Sequence, residues 1–475
     1  MITEPNDQPL TIADAAAALR SGATTSVALT RSILAKITEL NDALGAYVTV
    51  TADQALEQAT AADAALAAGD DQGPLAGIPL AIKDIIAMKG APTTANSRVL
   101  DPAWGEGTDA PVVARLRAAG SVFLGKSTTS EFAIGLPDPE KGFLVPRNPW
   151  NVEHTPAGSS SGTGVAVAAG LALGGLGTDT GGSVRGPACV NGHTGLKVTF
   201  GRVPKSGVVP LGFSLDSVGP MARSAYDCAL LLQVMAGYDP SDPNSADVGV
   251  DDYPAALDGD VSGIKIGLPS GYFFDHDQLD PEQKEAVLTA VGVLEGLGAK
   301  PDEVTLPYPD LAKDANHLIL IGEAYAYHRN NLVSRWTDYG AGTRPTLARG
   351  AFYTSADFVQ AQRFRTMFCR AVADVLKTCD VMITPAAPTP AERAADLTPS
   401  SRLNKPSYTG HWNLTGLPAA AVPVGFSSTG LPLSMQVIGK PFAEATVLKV
   451  ADALQRVTDW HLKVPEVEAL AGAVA

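Results

Sequence analysis

The residues with the plainest chemical promise lie in TPAGSSSGTG, residues 155–164, where three serines stand in a row between glycines. A serine hydroxyl is a poor nucleophile until a base takes its proton. The cluster therefore poses two questions: which serine attacks, and where the base is. Two motif readings suggest themselves, and both fail on their surroundings. Read as G-S-S-S-G, the stretch fits the nucleophile elbow G-x-S-x-G, with Ser160 attacking. That turn needs a buried strand running into the serine, whereas RNPWNVEHTPAG carries two prolines and hardly any apolar run. Further upstream, GSVFLGKS, residues 120–127, fits the phosphate loop G-x-x-x-x-G-K-[ST]. Its inner residues, Ser-Val-Phe-Leu, read as a strand and follow a helix. The order of elements is wrong for a phosphate cradle, so nucleotide binding is not expected and Lys126 is not read as catalytic.

The elements that must position such residues alternate along the chain. From Ile12 to about Leu66 the pattern is helical and alanine-rich, with a break at Ser21–Gly22. GPLAGIPLAIKD, residues 73–84, reads as a strand ending at Lys83. PVVARLRAAGSVFLGK, residues 111–126, reads as a helix, a glycine stop at Gly120 and a short strand. Val165 opens an apolar helical run directly after the serines, which places them at a helix N-terminus. The segment 237–263 is rich in Pro, Gly and Asp and reads as a long loop or the seam before a second lobe. GIKIGLP then reads as a strand. The helix after it has Asp280 as N-cap, Pro281 at its first position and Gln283 completing a capping box. Strands alternating with helices predict an α/β fold.

Composition narrows the function. The chain has 475 residues and a formal net charge of −15, with no dense Lys/Arg run. A phosphate backbone calls for a basic surface, so no nucleic-acid partner is expected. Of the cysteines Cys189, Cys228, Cys369 and Cys379, none forms a C-x-x-C pair, and they read as reduced, buried thiols. The seven histidines show no metal-binding spacing, so neither a metal nor any other cofactor is expected. MITEPNDQPLT lacks the basic and apolar regions of a signal peptide. The longest apolar run, Val165 to Gly177, is too short and glycine-rich to span a bilayer. These features predict a soluble cytoplasmic protein with no membrane partner.

Downstream of the serines lies GLGTDTGGSVRGPACVNGHTGLKVTFGRVPKSGVVPLGFSLDSVGPMARS, residues 175–224. Together with AGSSSGTGVAVAAG it closely resembles the amidase signature family, in a long and nearly ungapped match over 155–224. Weaker matches reach PLAGIPLAIKD and NLTGLPAAAVPVGF. The resemblance implies a large mixed twisted β-sheet covered by helices on both faces. It implies one domain over 1–475, with the signature core at about 73–224 and smaller C-terminal lobe elements at 264–475.

The family uses a Ser–Ser–Lys triad. Carried over residue by residue, the resemblance implies Ser183, in TGGS, as nucleophile. It implies Ser159, whose peptide bond is cis in the family, as the bridging serine, and Lys83, in AIKD, as the base. One of the three serines is thus the relay and not the attacker, and Ser160 and Ser161 are left to bond locally and cap the helix. A lysine acts as base only when neutral, which burial favours. Gly181 and Gly182 let the backbone turn so that the N–H groups of Thr180, Gly181, Gly182 and Ser183 converge as an oxyanion hole. Asp179 and Arg185 read as a pair holding this loop, and Lys197 and Arg202 as structural.

The signature does not choose the amide. TTSEFAIGLPDPEKGFL, residues 128–144, and PSYTGHWNLTGLPA, residues 406–419, are expected to shape the acyl pocket, with Phe132, Tyr408, His411 and Trp412 as substrate contacts. Glutaminase subunits of the family carry an acid about seven positions before the Asn-Leu, where this chain has Pro406. Arg349 and Arg365 do not restore a glutamine site in the sequence. The expectation is therefore a stand-alone serine hydrolase of small hydrophobic or aryl amides, with carbamates (urethanes) as an extension. Its partner would be the small-molecule amide or carbamate, and a homodimer is the self-association considered. The alternatives are the glutaminase subunit of a tRNA-dependent amidotransferase and a non-catalytic assembly subunit.

Overall fold

Short apolar runs bounded by glycine and proline become strands that are buried on both faces. A computed structural model describes residues 10–398 and 405–467; the N-terminal MITEPNDQP lies outside them. The strands are β1 Tyr47–Val50, β2 Pro79–Lys83, β3 Val122–Ser127, β4 Gly174–Asp179, β5 Thr194–Lys197, β6 Ser217–Ala222, β7 Lys265–Pro269, β8 Lys300–Val304, β9 Val381–Pro385, β10 Ala419–Phe426 and β11 Pro432–Gly439. They form one 11-stranded mixed sheet in the order β1-β3-β2-β4-β6-β5-β10-β11-β9-β7-β8, flanked by helices. Every residue of β2, β3, β4, β6, β9 and β11 is buried. This explains why these strands read as continuous apolar or glycine runs and not as alternating ones.

Two parallel pairings decide where the site forms. β2 runs parallel to both β3 and β4, with Ile82 opposite Lys126 on one side and Leu176 on the other. Lys83 and Asp179 are the last residues of adjacent parallel strands. The crevice beyond the carboxyl ends of parallel strands is where open α/β sheets gather their ligands. Lys126 lies within β3, so GSVFLGKS is sheet core and not a phosphate loop.

Local expectations and outcomes differ in three places. The alanine-rich N-terminal stretch is three helices, Ile12–Ser21, Ser26–Leu44 and Ala52–Ala67, and β1 interrupts it. YVTV is too short for its period to stand out between helices. The segment 237–263 holds only the four-residue helix Tyr253–Ala256. It is tied down by Arg115, which donates to the carbonyls of Gly237 and Tyr238, and by Arg202, which donates to that of Gly249 at 2.7 Å. The capping box at Asp280 is half formed. Asp280 accepts from the Glu282 and Gln283 amides, but the Gln283 side chain donates to the Ser434 carbonyl. Burial against β11 offers that amide a tertiary acceptor, which displaces the local one.

Among the described residues, Cys189, Cys228 and Cys379 are buried, Cys369 is half-buried and no disulfide joins them. No helix among them is long and apolar enough to cross a membrane.

Replacing Asp280 with Ala removes the acceptor of two amides at the start of the helix Pro281–Gly296. It should lower unfolding free energy by about 1 kcal/mol, the usual worth of a cap. Urea unfolding of the purified variant reads this as a lower midpoint at unchanged slope.

Candidate active site

Lys83 ends β2 with no exposed surface. Its Nζ meets three hydroxyls: Ser159 Oγ at 2.8 Å, Ser160 Oγ at 2.9 Å and Thr178 Oγ1 at 2.8 Å. Burial disfavours the ammonium and lowers its pKa to about 7, while the charges of Asp179 and Asp216 oppose the shift. The proton inventory around it is constrained. Ser160 Oγ donates to the Thr178 carbonyl at 3.3 Å and accepts from the Thr178 amide at 3.2 Å. Its own proton is thus engaged elsewhere, and toward Lys83 it acts as acceptor. A neutral lysine has two N–H donors and one lone pair. Ser160 takes one donor, which leaves one donor and the lone pair for Ser159 and Thr178.

This placement corrects one expectation. Ser160 precedes the helix Ser161–Ala168, but its side chain makes no capping bond; the buried lysine holds it instead. Thr178, which the sequence reading passed over, stands in the GTDTGGS stretch that carries the family pattern.

Ser159 is nearly buried, and the peptide bond Gly158–Ser159 is cis. Its carbonyl accepts from the Ser130 amide at 3.2 Å and from Thr129 Oγ1 at 2.9 Å. Ser183 follows the turn that leaves β4, and its carbonyl accepts from the Ser160 amide at 3.2 Å. Both serines, with Thr180, Gly181 and Gly182, line a cavity of about 400 Å³.

Asp179 organises that turn. It accepts from the amides of Gly182 at 2.8 Å, Val184 at 3.1 Å and Arg185 at 3.3 Å. Arg185 grips the same carboxylate with Nε at 3.1 Å and Nη2 at 3.0 Å. Burial pushes the Asp179 carboxyl up, but the Arg185 guanidinium, with help from Lys197 and Asn413, holds it well below the usual carboxylate range. Arg185 also reaches Gln436 of β11 at 3.0 Å and Asn413 at 2.7 Å. Gln436 did not stand out in the sequence, because it sits inside an apolar run, and Asn413 was read only as part of a weaker family match. Lys197 donates to the Val198 carbonyl, and Lys126 pairs with Asp84 at 3.3 Å. Both lysines are buried, and neither lines the cavity.

The expected oxyanion donors need correction at one position. The Gly182 N–H is spent on Asp179, so it does not point into the cavity. Gly182 serves the turn in another way. Its φ is +129°, and a Cβ there would lie 2.2 Å from Thr409 Oγ1. Thr409 in turn donates to the Gly181 carbonyl at 2.6 Å, and Thr180 Oγ1 donates to Asp216 at 2.6 Å. The amides of Thr180, Gly181 and Ser183 remain as candidates.

None of the four expected substrate contacts lines the cavity. Phe132 packs against His328 and Tyr339. Tyr408 and Trp412 pack around Phe273, and His411 hydrogen-bonds through Nε2 with the Pro309 carbonyl at 2.6 Å. Apolar rings gain more from close packing than from a solvated wall, and their neighbours Ser407 and Thr409 face the cavity instead. The lining also carries charge, from Lys313 and Asp314 of the helix Pro309–Ser334 and from Arg349, with His317 beside them. Arg365, by contrast, is held by the Leu414 carbonyl and by Ser214.

Comparisons with known proteins agree with this geometry in family and differ from the sequence reading in function. The family model Amidase matches residues 28–448. The chain is 42% identical, over 96% of its length and 98% of the relative's, to the A subunit of the glutamyl-tRNA(Gln) amidotransferase of Roseiflexus sp.. The crystal structure of the corresponding glutamyl-tRNA(Gln) amidotransferase subunit from Thermotoga maritima superposes with a TM-score of 0.83 at 31% identity, covering 98% of this chain and 100% of that one. The peptide amidase of Stenotrophomonas maltophilia superposes at 0.84 with 29% identity, covering 96% and 98%. The amidotransferase relatives overturn two expectations: a stand-alone hydrolase of small hydrophobic or aryl amides and carbamates, and the exclusion of nucleic acid. The first rested on Pro406 standing where glutaminase subunits carry an acid, and on aromatic residues that pack away from the cavity. The second rested on net charge, which describes this chain's own surface and not an assembly around it. The mixed sheet, the seryl cluster on a buried lysine and the match over nearly the whole chain make this protein a member of the amidase signature family, whose enzymes act on carbon–nitrogen bonds.

Proposed function

We propose that the chain is the glutaminase subunit of a tRNA-dependent amidotransferase. It would cleave the side-chain amide of glutamine and supply the ammonia that amidates glutamyl-tRNA(Gln). The observation that carries this reading is the near-full-length identity to amidotransferase subunits of that type, and the charged cavity wall supports it.

The chemistry proposed for the site runs through Lys83 and the two serines. Neutral Lys83 takes a proton from Ser159, and Ser159 takes one from Ser183 as its Oγ attacks the amide carbon. The carbonyl becomes a tetrahedral oxyanion, held by the amides of Thr180, Gly181 and Ser183, each such donor being worth about 3 kcal/mol of barrier. As the C–N bond breaks, the relay returns the proton to the nitrogen and ammonia leaves. Water then attacks the Ser183 ester, gives its proton to the same relay and releases glutamate.

The reading predicts that the full chain, purified together with its partner subunits, releases ammonia from L-glutamine and converts glutamyl-tRNA(Gln) to glutaminyl-tRNA(Gln). Ammonia release from glutamine that stays undetectable in that assembly would overturn it. Replacing Ser183 with Ala should lower turnover by about four orders of magnitude while leaving the melting temperature unchanged; activity within about tenfold of wild type would contradict the nucleophile. The pH profile has a defined sign. Lys83 is protonated below a pKa of about 7 and neutral above it. Turnover should therefore rise through pH 7 and level off by about pH 8 to 9. Asp216 raises the Lys83 pKa, so Asp216→Asn should move the midpoint to lower pH.

A further inference from the structure

The turn that leaves β4 stands between two buried carboxylates. Asp179, at the end of β4, takes the amides of Gly182, Val184 and Arg185. Asp216 immediately precedes Ser217, which opens β6 and pairs with Asp179 in the sheet. One of its oxygens accepts from Thr180 Oγ1 at 2.6 Å and from the Gly212 amide at 3.0 Å, and the other accepts from the Leu211 amide at 3.0 Å. No salt bridge among the described residues compensates its charge. Lys205 is the cation that faces it, but the Lys205 Nζ donates to the Phe213 carbonyl and lies over the Phe200 and Phe213 rings. Burial pushes the Asp216 carboxyl up, and its charge raises the pKa of Lys83, against the neutral base that the relay needs.

A buried carboxylate with no ion pair is costly, and what this one holds is Thr180. The Thr180 hydroxyl is on Asp216, its carbonyl accepts from Asn316 Nδ2 at 3.5 Å, and a Cβ on Gly212 would lie 2.8 Å from its Cγ2. Asn413 donates to the Asp179 carbonyl at 3.0 Å. The N–H and C=O of a trans peptide point in opposite directions, so fixing that carbonyl and the Thr180 side chain fixes where the Thr180 N–H points. The amides of Thr180 and Gly181 meet no acceptor among the described residues. Donors for an oxyanion must be aimed before its charge develops. We propose that Asp216 is a positioning residue of the oxyanion site: through the Thr180 hydroxyl it holds the Thr180 and Gly181 amides toward the oxygen of the carbonyl that Ser183 attacks. Asp216 does not line the cavity, and it acts through Thr180, which does. The role is the same for any amide that Ser183 opens, so it does not depend on the glutaminase reading.

The test labels Ser183 with a fluorophosphonate, a probe that serves whatever the natural amide is. The Oγ–P bond forms as the P–F bond breaks, the serine proton passes to the relay, fluoride leaves, and the phosphoryl oxygen draws on the same amides. Labelling of the full chain is followed at about pH 9, above the Lys83 titration, so that a shift in the lysine does not enter. Thr180→Val keeps the shape of the side chain and removes the hydroxyl; Asp216→Ala removes the acceptor. Each should slow the maximal labelling rate about 10- to 100-fold, with the probe concentration for half-maximal rate changed by less than about twofold. Thr180→Ser keeps the hydroxyl and should recover most of the loss. The double variant should label no more slowly than the slower single, because both changes break one contact. A folded Thr180→Val protein whose maximal rate is within about twofold of wild type overturns the proposal, whether or not Asp216→Ala folds. Losses that multiply in the double variant overturn it too, as does a Thr180→Ser protein as slow as Thr180→Val. A wild type inert to the probe also overturns it, while the glutaminase reading is decided separately, by ammonia release from L-glutamine.

Discussion

Withdrawing one lysine from water is the constraint on which the site depends. Lys83 sits at the carboxyl end of a fully buried strand, where no carboxylate among the described residues reaches it with a salt bridge. Only hydroxyls touch its nitrogen. Hydroxyls can accept from an amine or donate to it, so they leave its protonation state open in a way that a carboxylate would not. Desolvation then decides, and it favours the neutral amine that a base must be. Lys126, on the neighbouring strand, shows the opposite arrangement. It is equally buried but lies beside Asp84, so it belongs to an ion pair and not to a proton relay.

The nucleophile's side of the site depends on a second buried charge. Asp179 gathers three backbone amides and Arg185 around the turn that presents Ser183. Arg185 extends that hold to Gln436 and Asn413, so the turn is fixed to the sheet and to the helix Gly410–Thr415. Removing one partner of such a buried pair strands the other without compensation, which typically costs about 3 to 5 kcal/mol. The turn's positive-φ glycine, Gly182, permits the approach of Thr409. Rigidity here is what an oxyanion site requires, because its donors must be aimed before charge develops.

Much of this was legible in the residues. The strand ending at Lys83, the helix before Val122 and the helix opened by Asp280 were visible because each combines a clear hydrophobic period with a stop or cap. The buried serines and the lysine were visible through a long motif. What stayed hidden was set by tertiary choice. Ser160 looks like a helix cap by its position, yet a lysine 77 residues away claims its hydroxyl. Tyr408, His411 and Trp412 look like pocket walls by type, yet they pack with Phe273. Arg349 was weighed in the sequence and set aside, because Asp314 belongs to a different element and only folding brings the two to one cavity. The partner class was hidden for a simpler reason: a chain's net charge carries no record of the assembly it joins.

The central claim is that Lys83 is a neutral base near physiological pH. The most direct measurement is NMR of the protein with isotope-labelled lysine side chains, followed from pH 5 to pH 10, with the Lys83 signal assigned by its loss in Lys83→Arg. The account predicts a signal that titrates with a midpoint near 7. A Lys83 signal that remains that of a charged ammonium throughout this range would contradict it.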